Sequence, residues 1–495
     1  MSNPGLTAAP LALARPFALT MAFLTAAQLL QCAEIESASA KTTEMKTSTA
    51  SAGLFNDWWR KENPEAKAWD LGGQFRMRYE SKENAGSFAN RDFIAQGQAN
   101  DNDVMILRTK LHLGYTQDSW LNFFVEGRDS RGWWDRREPS PDDDALDLHQ
   151  AFVQLGDAKK CPMLLKVGRQ EMIYGDERFI GAADWSNTGR VFDAAKLRFE
   201  NESFWVDAFV GRVVVPYDDH FNVANDYDWF SGLYVSSRKL IPWQETQVFF
   251  LARNVSALAT NAIAAGVPGS PATARDVYTI GTRIKSLPGK LQGWDYSTEL
   301  AGQFGSVVQG GVRRDLEAFA ADASFGYSWS EAWGTPRVGA EYTYASGDHN
   351  AADNKYETFE PLFGTNHKLY GFMDLFGLRN LHNPSVTLSL KPAKQLSLRA
   401  DYLLFWLADG NDSLYPESGS ARSGNGYGRK PQLDHFVGSE VDFIASYQPA
   451  AWAEFQFGYG HFFVGDYIKQ SAGGVPANGG ATDADWVYVQ TKITF

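Results

Sequence analysis

The sequence is poor in cysteine and, beyond its N-terminal region, lacks long apolar runs. Its 495 residues include only 2 cysteines, Cys32 and Cys161. If the N-terminal region is a cleaved leader, Cys161 alone remains, which excludes an intramolecular disulfide. After Ala40 no apolar run reaches the length of a membrane helix, and the mean hydropathy of -0.34 excludes a helical membrane protein. An exported chain of this kind must gain its stability in another way, such as a large hydrogen-bonded barrel.

Basic residues and catalytic motifs are also scarce. The chain has 46 Lys and Arg against 59 Asp and Glu, a formal net charge of -13, which argues against a nucleic-acid partner. None of the motifs H-E-x-x-H, G-x-S-x-G or G-x-x-x-x-G-K-S/T occurs, and the 8 histidines are scattered. We therefore predict that the protein is not an enzyme and has no catalytic residues, no cofactor and no metal site.

Aromatic residues, by contrast, make up 14% of the chain, with 16 Trp, 20 Tyr and 33 Phe, which is rich for a soluble protein. A length of 495 residues fits either two to four soluble domains or one large barrel. From Leu71 onward, polar and apolar residues alternate with the period of two that is typical of β-strands, as where Arg76 and Arg78 interleave with Met77 and Tyr79. No helical stretch is expected after the leader.

The N-terminus has the features of a secretory signal peptide. Arg15 precedes the apolar stretch Pro16–Leu30, and the small residues Ala38-Ser39-Ala40 follow it. Cleavage after Ala33 and cleavage after Ala40 both fit this pattern. We predict a signal peptide at residues 1–40, a polar N-terminal segment at residues 41–70 and a barrel at residues 71–495.

The gaps between the strand-like segments alternate between long and short along the whole chain. Gaps such as Ile173–Arg190, Gly305–Arg314 and Gly347–His382 are long, whereas Lys239–Trp243 and Pro392–Lys394 are short. This rhythm is typical of an up-and-down transmembrane barrel with tight periplasmic turns and long extracellular loops. The predicted fold is therefore all-β, a transmembrane antiparallel up-and-down β-barrel of about 18 strands (16–18).

The last ten residues, W-V-Y-V-Q-T-K-I-T-F, alternate as a strand up to Phe495. Trp486 and Tyr488 fall on one face of this strand, while Val487 and Val489 fall on the other. In lipid every backbone donor and acceptor needs a partner, so a spanning sheet has to close on itself. We expect this strand to pair with the first strand, with Phe495 in its lipid-facing row.

Several motifs resemble the outer-membrane alginate export family. They are G-R-Q at Gly168–Gln170, G-D-E-R at Gly175–Arg178, W-S-N-T-G-R at Trp185–Arg190, P-L-F-G-T-N-H-K-L-Y-G-F-M-D-L-F at Pro361–Phe376, and G-S-E-V-D-F at Gly438–Phe443. The resemblance covers most of the chain from about Leu71. It implies an eighteen-stranded barrel whose lumen narrows to an arginine-rich constriction that favours an anionic polysaccharide.

The chain departs from this family pattern in places that concern the cargo. Arg108, in I-L-R-T-K, lies in a matching strand context, so the resemblance implies a lumen role for it. After G-R-Q, however, Glu171 stands where the alginate exporter has arginine, and Glu454 stands in a strand where the exporter is basic. Thr365–Asp374 contains no arginine at all. The resemblance therefore implies the fold more firmly than it implies alginate as cargo.

Strand alternation predicts which charged side chains face the lumen. Arg108 is the first candidate for a cargo contact because a guanidinium can grip a carboxylate with two hydrogen bonds. The alternative is that such charges pair across strands and only solvate the wall. Alternation places Arg169 towards lipid unless a bulge intervenes, which leaves a structural and a constriction-lining role open. The basic candidates are Arg108, Lys110, Arg76, Arg78, Arg128, Arg169, Lys196, Arg198 and Arg399, and the acidic ones are Glu440, Asp442, Glu341 and Glu454.

Three stretches between strands carry their own predictions. Trp185–Arg190 is expected to be an ordered external loop that folds over or into the mouth, where it packs or gates. Thr365–Phe376 is aromatic without clean alternation, and we favour a plug or constriction loop over an additional strand. Asp142–Asp144 is expected to be a solvated acidic loop rather than a divalent-cation site, because no glycine turn with ligand spacing accompanies it.

The sequence predicts an outer-membrane channel for passive, anion-selective passage of a polysaccharide or acidic oligosaccharide. The first alternative is a general porin or one for uptake of sugars or small anions, and the second is a surface adhesin or receptor barrel. The expected partners are outer-membrane lipid, the anionic polysaccharide or small anionic solutes, and, for an exporter, periplasmic export components. A monomer in the outer membrane of a Gram-negative bacterium is expected, with no nucleic-acid partner.

Overall fold

The computed structural model describes residues 54–95, 100–117, 120–137, 139–157, 161–217, 220–256 and 274–495. The predicted signal peptide at residues 1–40 lies outside the described residues. No helix in the described part of the chain is long and apolar enough to cross a membrane.

A closed antiparallel β-barrel of 18 strands forms the body of the molecule, so the predicted all-β, up-and-down barrel is confirmed. A further two-residue strand, β14, pairs in parallel with β12. The strands are β1 Trp69–Glu83, β2 Asn102–Gln117, β3 Leu121–Trp133, β4 Asp144–Leu155, β5 Met163–Gln170, β6 Phe192–Glu200, β7 Phe204–Val215, β8 Val223–Ser237, β9 Gln244–Val255, β10 Arg275–Ser286, β11 Trp294–Gln309, β12 Val312–Ser328, β13 Arg337–Ala345, β14 Lys355–Tyr356, β15 Leu381–Ala393, β16 Leu396–Trp406, β17 Phe436–Ala450, β18 Ala453–Val464 and β19 Ala484–Thr494.

The barrel closes between its first and last strands, as the sequence predicts. β1 pairs antiparallel with β19 over a register that runs from Gln74 opposite Thr494 to Glu83 opposite Asp485. Phe495 continues this pairing, since its backbone N–H donates to the Gly73 carbonyl at 2.9 Å. Both edges of the sheet are thereby paired, which removes the unpaired backbone groups that an open edge would present to lipid.

Short helices occur before β1 and between β18 and β19. Helix α1 spans Leu54–Glu62, helix α2 spans Asp466–Gln470, and 3₁₀ turns occur at Pro64–Ala68, Ala89–Arg91 and Pro476–Asn478. The expectation that no helix follows the leader is therefore wrong. Helix α1 is tied to the start of β1, because Asn56 accepts from the Leu71 N–H at 3.0 Å and Arg60 donates to the Trp69 carbonyl at 2.7 Å.

The gap predicted to be long at Gly305–Arg314 is short. Strand β11 runs on to Gln309 and β12 begins at Val312, so only Gly310 and Gly311 connect them. Both glycines have positive φ, 57° and 81°, which is the backbone that a two-residue hairpin turn requires. The two glycines make this tight turn possible, so β11 and β12 form one extended hairpin. The hairpin lies at the end of the barrel that carries the long loops, which we name the outer end.

Apolar side chains cover the outside of the barrel, whereas its inside holds polar side chains together with a buried apolar cluster that includes Phe192, Phe230 and Phe249. Ile280, Phe325 and Val489 are exposed on the outward face, whereas Trp486 and Tyr488 of the last strand are buried inside. The alternation read from the sequence is thus confirmed for the last strand. An exposed apolar belt on every side is what lipid contact requires.

Two inward-folded loops cross the lumen and contact each other. Loop A comprises residues 171–191, between β5 and β6, and loop B comprises residues 357–380, between β14 and β15. A parallel bridge joins Ile180 to Phe363, and the Thr365 N–H donates to the Glu177 carbonyl at 2.9 Å. Loops A and B together form what we name the lumen partition. Thr365–Phe376 contains no strand, so the choice of an inward loop over an additional strand is confirmed.

Candidate functional site

Three arginines and a lysine project into the lumen from β1 and β2. Arg76 lies directly opposite Arg108 in the antiparallel register, with Arg78 and Lys110 two residues further along their strands. All four side chains are buried inside the barrel, in agreement with the alternation. We name Arg76, Arg108 and Lys110 the inner basic cluster.

Most ligands of Arg76 and Arg108 come from loop A. Arg108 donates to the Asp184 carboxylate at 2.7 Å and to the Asp184 carbonyl at 3.0 Å. Arg76 donates to that same carbonyl at 2.5 Å and to the Ser186 carbonyl at 3.1 Å. The wall therefore supplies the cations and the loop supplies oxygen atoms, which are the groups that an acidic sugar also offers.

The Asp184 carboxylate is stabilised by neighbouring positive charges but remains exposed to water. Burial alone would raise the pKa of its carboxyl, but Arg108, Lys110 and Arg76 outweigh burial and hold the pKa well below its usual range. Its side chain is nevertheless 64% exposed, while that of Arg108 is 1% exposed. Arg78 and Trp185 line the cavity on the outer side of the partition, whereas Asp184 binds Arg108 and Arg76, which lie closer than Arg78 to the periplasmic ends of β2 and β1. The exposed carboxylate therefore faces the periplasmic side.

A stack of three side chains joins loop A, loop B and the wall. The Arg78 guanidinium lies 3.5 Å from the centre of the Trp185 ring, and the His367 ring lies parallel to the other face with centroids 3.8 Å apart. Tyr488 and Trp486 of β19 meet the Trp185 ring edge-on at 5.1 Å and 6.1 Å. This stack fixes where the two loops meet inside the barrel.

The partition is bounded on its outer side by a cavity of about 1280 Å³. Both loops line the cavity, as do residues of other loops at the outer end, and its charged groups are of both signs. They include Lys82, Arg137, Arg190, Arg253, Arg422, Asp374 and Glu417. We name this space the outer vestibule.

A cluster of Glu126, His149 and Glu171 has a spacing that could hold a metal ion. Arg128 donates to Nδ1 of His149 at 2.9 Å, so the ring proton lies on Nε2, which donates to Glu171 at 3.1 Å. A protonated nitrogen cannot ligate a metal. Lys110 lies 3.7 Å from Glu126 and 3.5 Å from Glu171, so the carboxylates already have a cation. The cluster therefore fits an ion-pair network better than a metal centre.

Glu171, at the start of loop A, is an anchor in that network. Burial alone would raise its pKa, but the hydrogen bond from His149 and the charge of Lys110 outweigh burial and lower the pKa to about 2. The residue that departs from the family pattern therefore stays ionised and fastens the first residue of the loop to the wall.

Four other basic candidates face the lumen and are paired with carboxylates. Arg198 binds Asp207 with two hydrogen bonds at 2.5 Å and 2.8 Å, and Lys196 lies 3.8 Å from the same carboxylate. Arg399 pairs with Asp401 at 2.6 Å. Arg128 pairs with Asp144. These four side chains fit the alternative in which charges pair across strands and only solvate the wall. Arg76 fits it less well, because its ligands are carbonyl and amide oxygens.

Arg169 does not join the lumen set. It follows exposed Val167 on the outward side of β5 and pairs with Asp193 of β6 at 2.8 Å. It also donates to the Leu148 and Asn222 carbonyls, both at 3.2 Å. The prediction of Arg169 as a cargo contact is therefore corrected, because β5 keeps its register with β4 and β6 through this residue and turns its side chain away from the lumen.

The acidic candidates serve mainly to hold loops. Glu440 accepts from the Met373 N–H and Asp442 from the Phe372 N–H, both at 3.1 Å, and both carboxylates are fully buried beneath loop B. Gly371 precedes these contacts with φ 95°, and a Cβ there would collide with the Glu440 carboxylate. Glu341 binds Arg178 of loop A at 3.0 Å, and Glu454 pairs with Lys492.

The Asp142–Asp144 stretch is not a solvated loop. Asp144 is fully buried and pairs with Arg128, while Asp142 pairs with Arg137 at 2.7 Å and accepts from the Asn187 N–H at 3.1 Å. The expectation is wrong because loop A folds inward and its backbone needs acceptors at this place. Sequence alternation also missed Asp184, Arg190 and Glu417, since they lie in loops without a repeat. The only available signal was the W-S-N-T-G-R motif that contains Arg190.

Comparison with known proteins supports both the family and the fold. The family model for alginate export matches residues 68–479. Three Pseudomonas aeruginosa crystal structures share the fold. OccD3 (OpdP) has a TM-score of 0.53 and 12% identity, and the match covers 87% of this chain and 91% of that chain. OpdO has a TM-score of 0.52, 13% identity and coverage of 86% of this chain and 97% of that chain, and OpdK with vanillate has a TM-score of 0.52, 11% identity and coverage of 86% of this chain and 98% of that chain. No curated protein matches the sequence.

Proposed function

Because the chain belongs to the alginate export family and is an outer-membrane channel, we propose that it passes an acidic oligosaccharide or polysaccharide passively and with anion selectivity. The observation that carries this proposal is the inner basic cluster. Arg76 and Arg108 are fixed on strands, and in this closed arrangement their ligands are a carboxylate and carbonyl oxygens of loop A. An acidic sugar presents a carboxylate and hydroxyl oxygens, which can accept the same hydrogen bonds and replace these ligands.

Anion selectivity follows from where the charges are anchored. Arg76 and Arg108 sit on the rigid wall of β1 and β2, whereas Asp184 sits on loop A. The neighbouring cations Arg78 and Lys110 also have carboxylates on the wall, at Glu80 and Glu126. When loop A moves aside, its carboxylate leaves and the cations stay. In a narrow lumen of low dielectric constant, such a local cluster outweighs the net charge of the whole protein.

Planar-bilayer recordings of the full-length protein test the proposal. We expect the reversal potential in a salt gradient to show anion preference and a short oligogalacturonate to block the current. A maltooligosaccharide of the same length is the neutral control and should block much less. Cation preference together with no block by the acidic saccharide would overturn the proposal.

A specific observation also favours the second candidate, a porin for uptake of small anions. Loop A is the third of the long loops, and an inward-folded third loop is the feature expected of a diffusion porin. Liposome uptake separates the candidates, since a porin admits a monomeric uronate but excludes the oligomer. A surface adhesin, the third alternative, would show neither conductance nor uptake.

The charge of the outer vestibule should depend on pH through Glu417. Desolvation by the surrounding protein and repulsion by Asp374 raise the pKa of Glu417 to about 7. The positive charges of Lys82, Arg190 and Arg137 act in the opposite direction. The carboxylate is still in contact with the water of the vestibule. The group is neutral below that pH and negative above it. Anion selectivity, measured by reversal potential, is therefore expected to fall as pH rises from about 6 to about 8.

Two variants check that assignment. Glu417→Gln should remove this pH dependence and keep the higher selectivity throughout the range. Asp374→Asn should shift the transition to lower pH, because it takes away the repelling charge. Equal pH dependence in the Glu417→Gln variant and the wild type would contradict the role of Glu417.

A further inference from the structure

Arg190, at the end of loop A, carries a charge that no carboxylate neutralises directly. Its Nη1 donates to three carbonyl oxygens, those of Phe363 at 2.5 Å, Gly364 at 2.9 Å and Gly181 at 3.3 Å. Carbonyl oxygens orient a guanidinium without cancelling its charge. Within the described part of the chain, no carboxylate comes within ion-pair distance of Arg190. Glu417 and Glu177 act on it only from further away.

The remaining donors of Arg190 are available to the outer vestibule. The side chain is partly exposed and lines that cavity. Its Nη1 is held against the partition, while Nε and Nη2 have no hydrogen-bond partner within the described part of the chain and are not fully buried. Those N–H groups therefore have access to the water of the vestibule. A planar guanidinium pinned at one nitrogen presents its other edge in a fixed direction, which suits a carboxylate that accepts two parallel hydrogen bonds.

The electrostatic surroundings favour an anion at this place. Burial and repulsion by Arg253 lower the pKa of Arg190 to about 10, so the group remains charged at neutral pH. Arg253 is itself compensated by Asp228 at 2.6 Å, and both guanidiniums lie near the Phe363 ring, at 5.8 Å and 4.4 Å from its centre. Arg190 and Arg253 together carry two positive charges, and Asp228 cancels only one of them. A carboxylate from outside would remove that excess.

We propose that Arg190 is an outer anion-binding station that takes a carboxylate of the acidic saccharide on the extracellular side of the lumen partition. This inference rests on the proposed function, and it adds a site beyond the inner basic cluster. The inner cluster opens to the periplasmic side beside Asp184, whereas Arg190 opens to the outer vestibule. The partition thus has a carboxylate-binding group on each side, so an anionic chain that leaves the inner cluster finds a second guanidinium before it reaches the extracellular mouth.

Side-specific block in planar bilayers tests this station. A short oligogalacturonate is added to one side at a time, and the blocking constant is measured for the wild type, Arg190→Gln and Arg137→Gln. Arg137 is the matched control because it lines the same vestibule but is paired with Asp135 and Asp142, each at 2.7 Å. Both variants remove one positive charge from the vestibule, so a general field effect would be similar in the two.

We expect Arg190→Gln to weaken block from the extracellular side about tenfold, the scale of a lost charge-assisted pair, and to leave block from the periplasmic side within about twofold. Arg137→Gln should change either constant by less than about threefold. Equal constants for Arg190→Gln and Arg137→Gln on the extracellular side would overturn the station and leave the proposed function intact. A wild-type channel that the acidic saccharide does not block from either side would overturn both.

Assembly of the variants is checked by heat-modifiable migration in gels and by retained single-channel conductance. If Arg190→Gln does not assemble, Arg190→Lys replaces it, because lysine keeps the charge and loses the two-pronged geometry. Block by the saccharide from the extracellular side should then be intermediate. An Arg190→Lys channel with wild-type block would contradict recognition by the guanidinium.

Discussion

Charge reversal at Arg108 is expected to lower the anion-to-cation permeability ratio about tenfold, which corresponds to about 1.4 kcal/mol. The Arg108 guanidinium is buried and donates to Asp184, Ser186 and Gln74, at 2.7 Å, 3.3 Å and 2.8 Å. The new carboxylate of Arg108→Glu would lose these hydrogen bonds and repel Asp184. Asp184 would lose the cation that holds it and would be repelled by the new carboxylate, so loop A should also loosen and raise the conductance. The measurement is the reversal potential in a salt gradient.

Arg337→Glu provides the matched control for this variant. Arg337 faces the lumen and binds Asp295 at 2.5 Å, so its reversal changes the charge of the interior by the same amount. It makes no contact with loop A among the contacts of the described residues. Its effect on the permeability ratio should therefore be much smaller. If the two reversals shift the ratio equally, selectivity depends on the average charge of the lumen and not on the inner basic cluster.

Replacing Trp185 with alanine is expected to raise the single-channel conductance several-fold. The indole is held between the Arg78 guanidinium at 3.5 Å and the His367 ring at 3.8 Å. A desolvated cation–π contact and a ring stack together contribute roughly 1–3 kcal/mol, and that contribution ties loop A to loop B and to the wall. Trp185→Ala removes both the bulk and the tie. Single-channel recording measures the step size and the frequency of fluctuations, which should also rise.

Trp205→Ala is the control for loss of an indole from the lumen. Trp205 lies on the wall of β7, where it stacks on Tyr234 at 5.8 Å and lies under Arg198. It meets loop A only at the Tyr174 ring, at 6.4 Å, and it does not touch the place where the two loops meet. Its removal should leave the conductance close to that of the wild type. Unchanged conductance in Trp185→Ala would mean that ions follow a path around the stack, so the gating role of Trp185 would be withdrawn.

These expectations share one physical premise, which is that the wall is rigid and the partition is less so. The wall residues are fixed by strand hydrogen bonds on both sides. Loops A and B are held to the wall by side-chain contacts, such as those of Glu440 and Asp442 and the packing of Phe363 against Phe230 at 4.9 Å. Breaking a few such contacts costs far less than separating two strands. A channel that opens by moving the partition therefore keeps its selective cations in place.

The sequence was sufficient for everything that repeats every two residues. Arg76 and Arg78 face inward while Met77 faces outward, because successive side chains of a strand point to opposite faces. The same rule placed Arg169 outward even though the family motif drew attention to it. Local pattern could not foresee the Gly310-Gly311 hairpin, because a tight turn and the start of a long loop share the same glycine-rich composition.

Alternation therefore determined the barrel, its closure and the lumen-facing set, since strand geometry is a local property of the chain. Only the tertiary structure decided what those lumen residues touch. Asp184 and Arg190 are six positions apart in one loop, yet they reach opposite sides of the partition and opposite ionic surroundings. No periodicity governs a loop, so its path depends on partners distant in sequence, such as Arg108 and Phe363, and those partners are brought together only when the barrel closes.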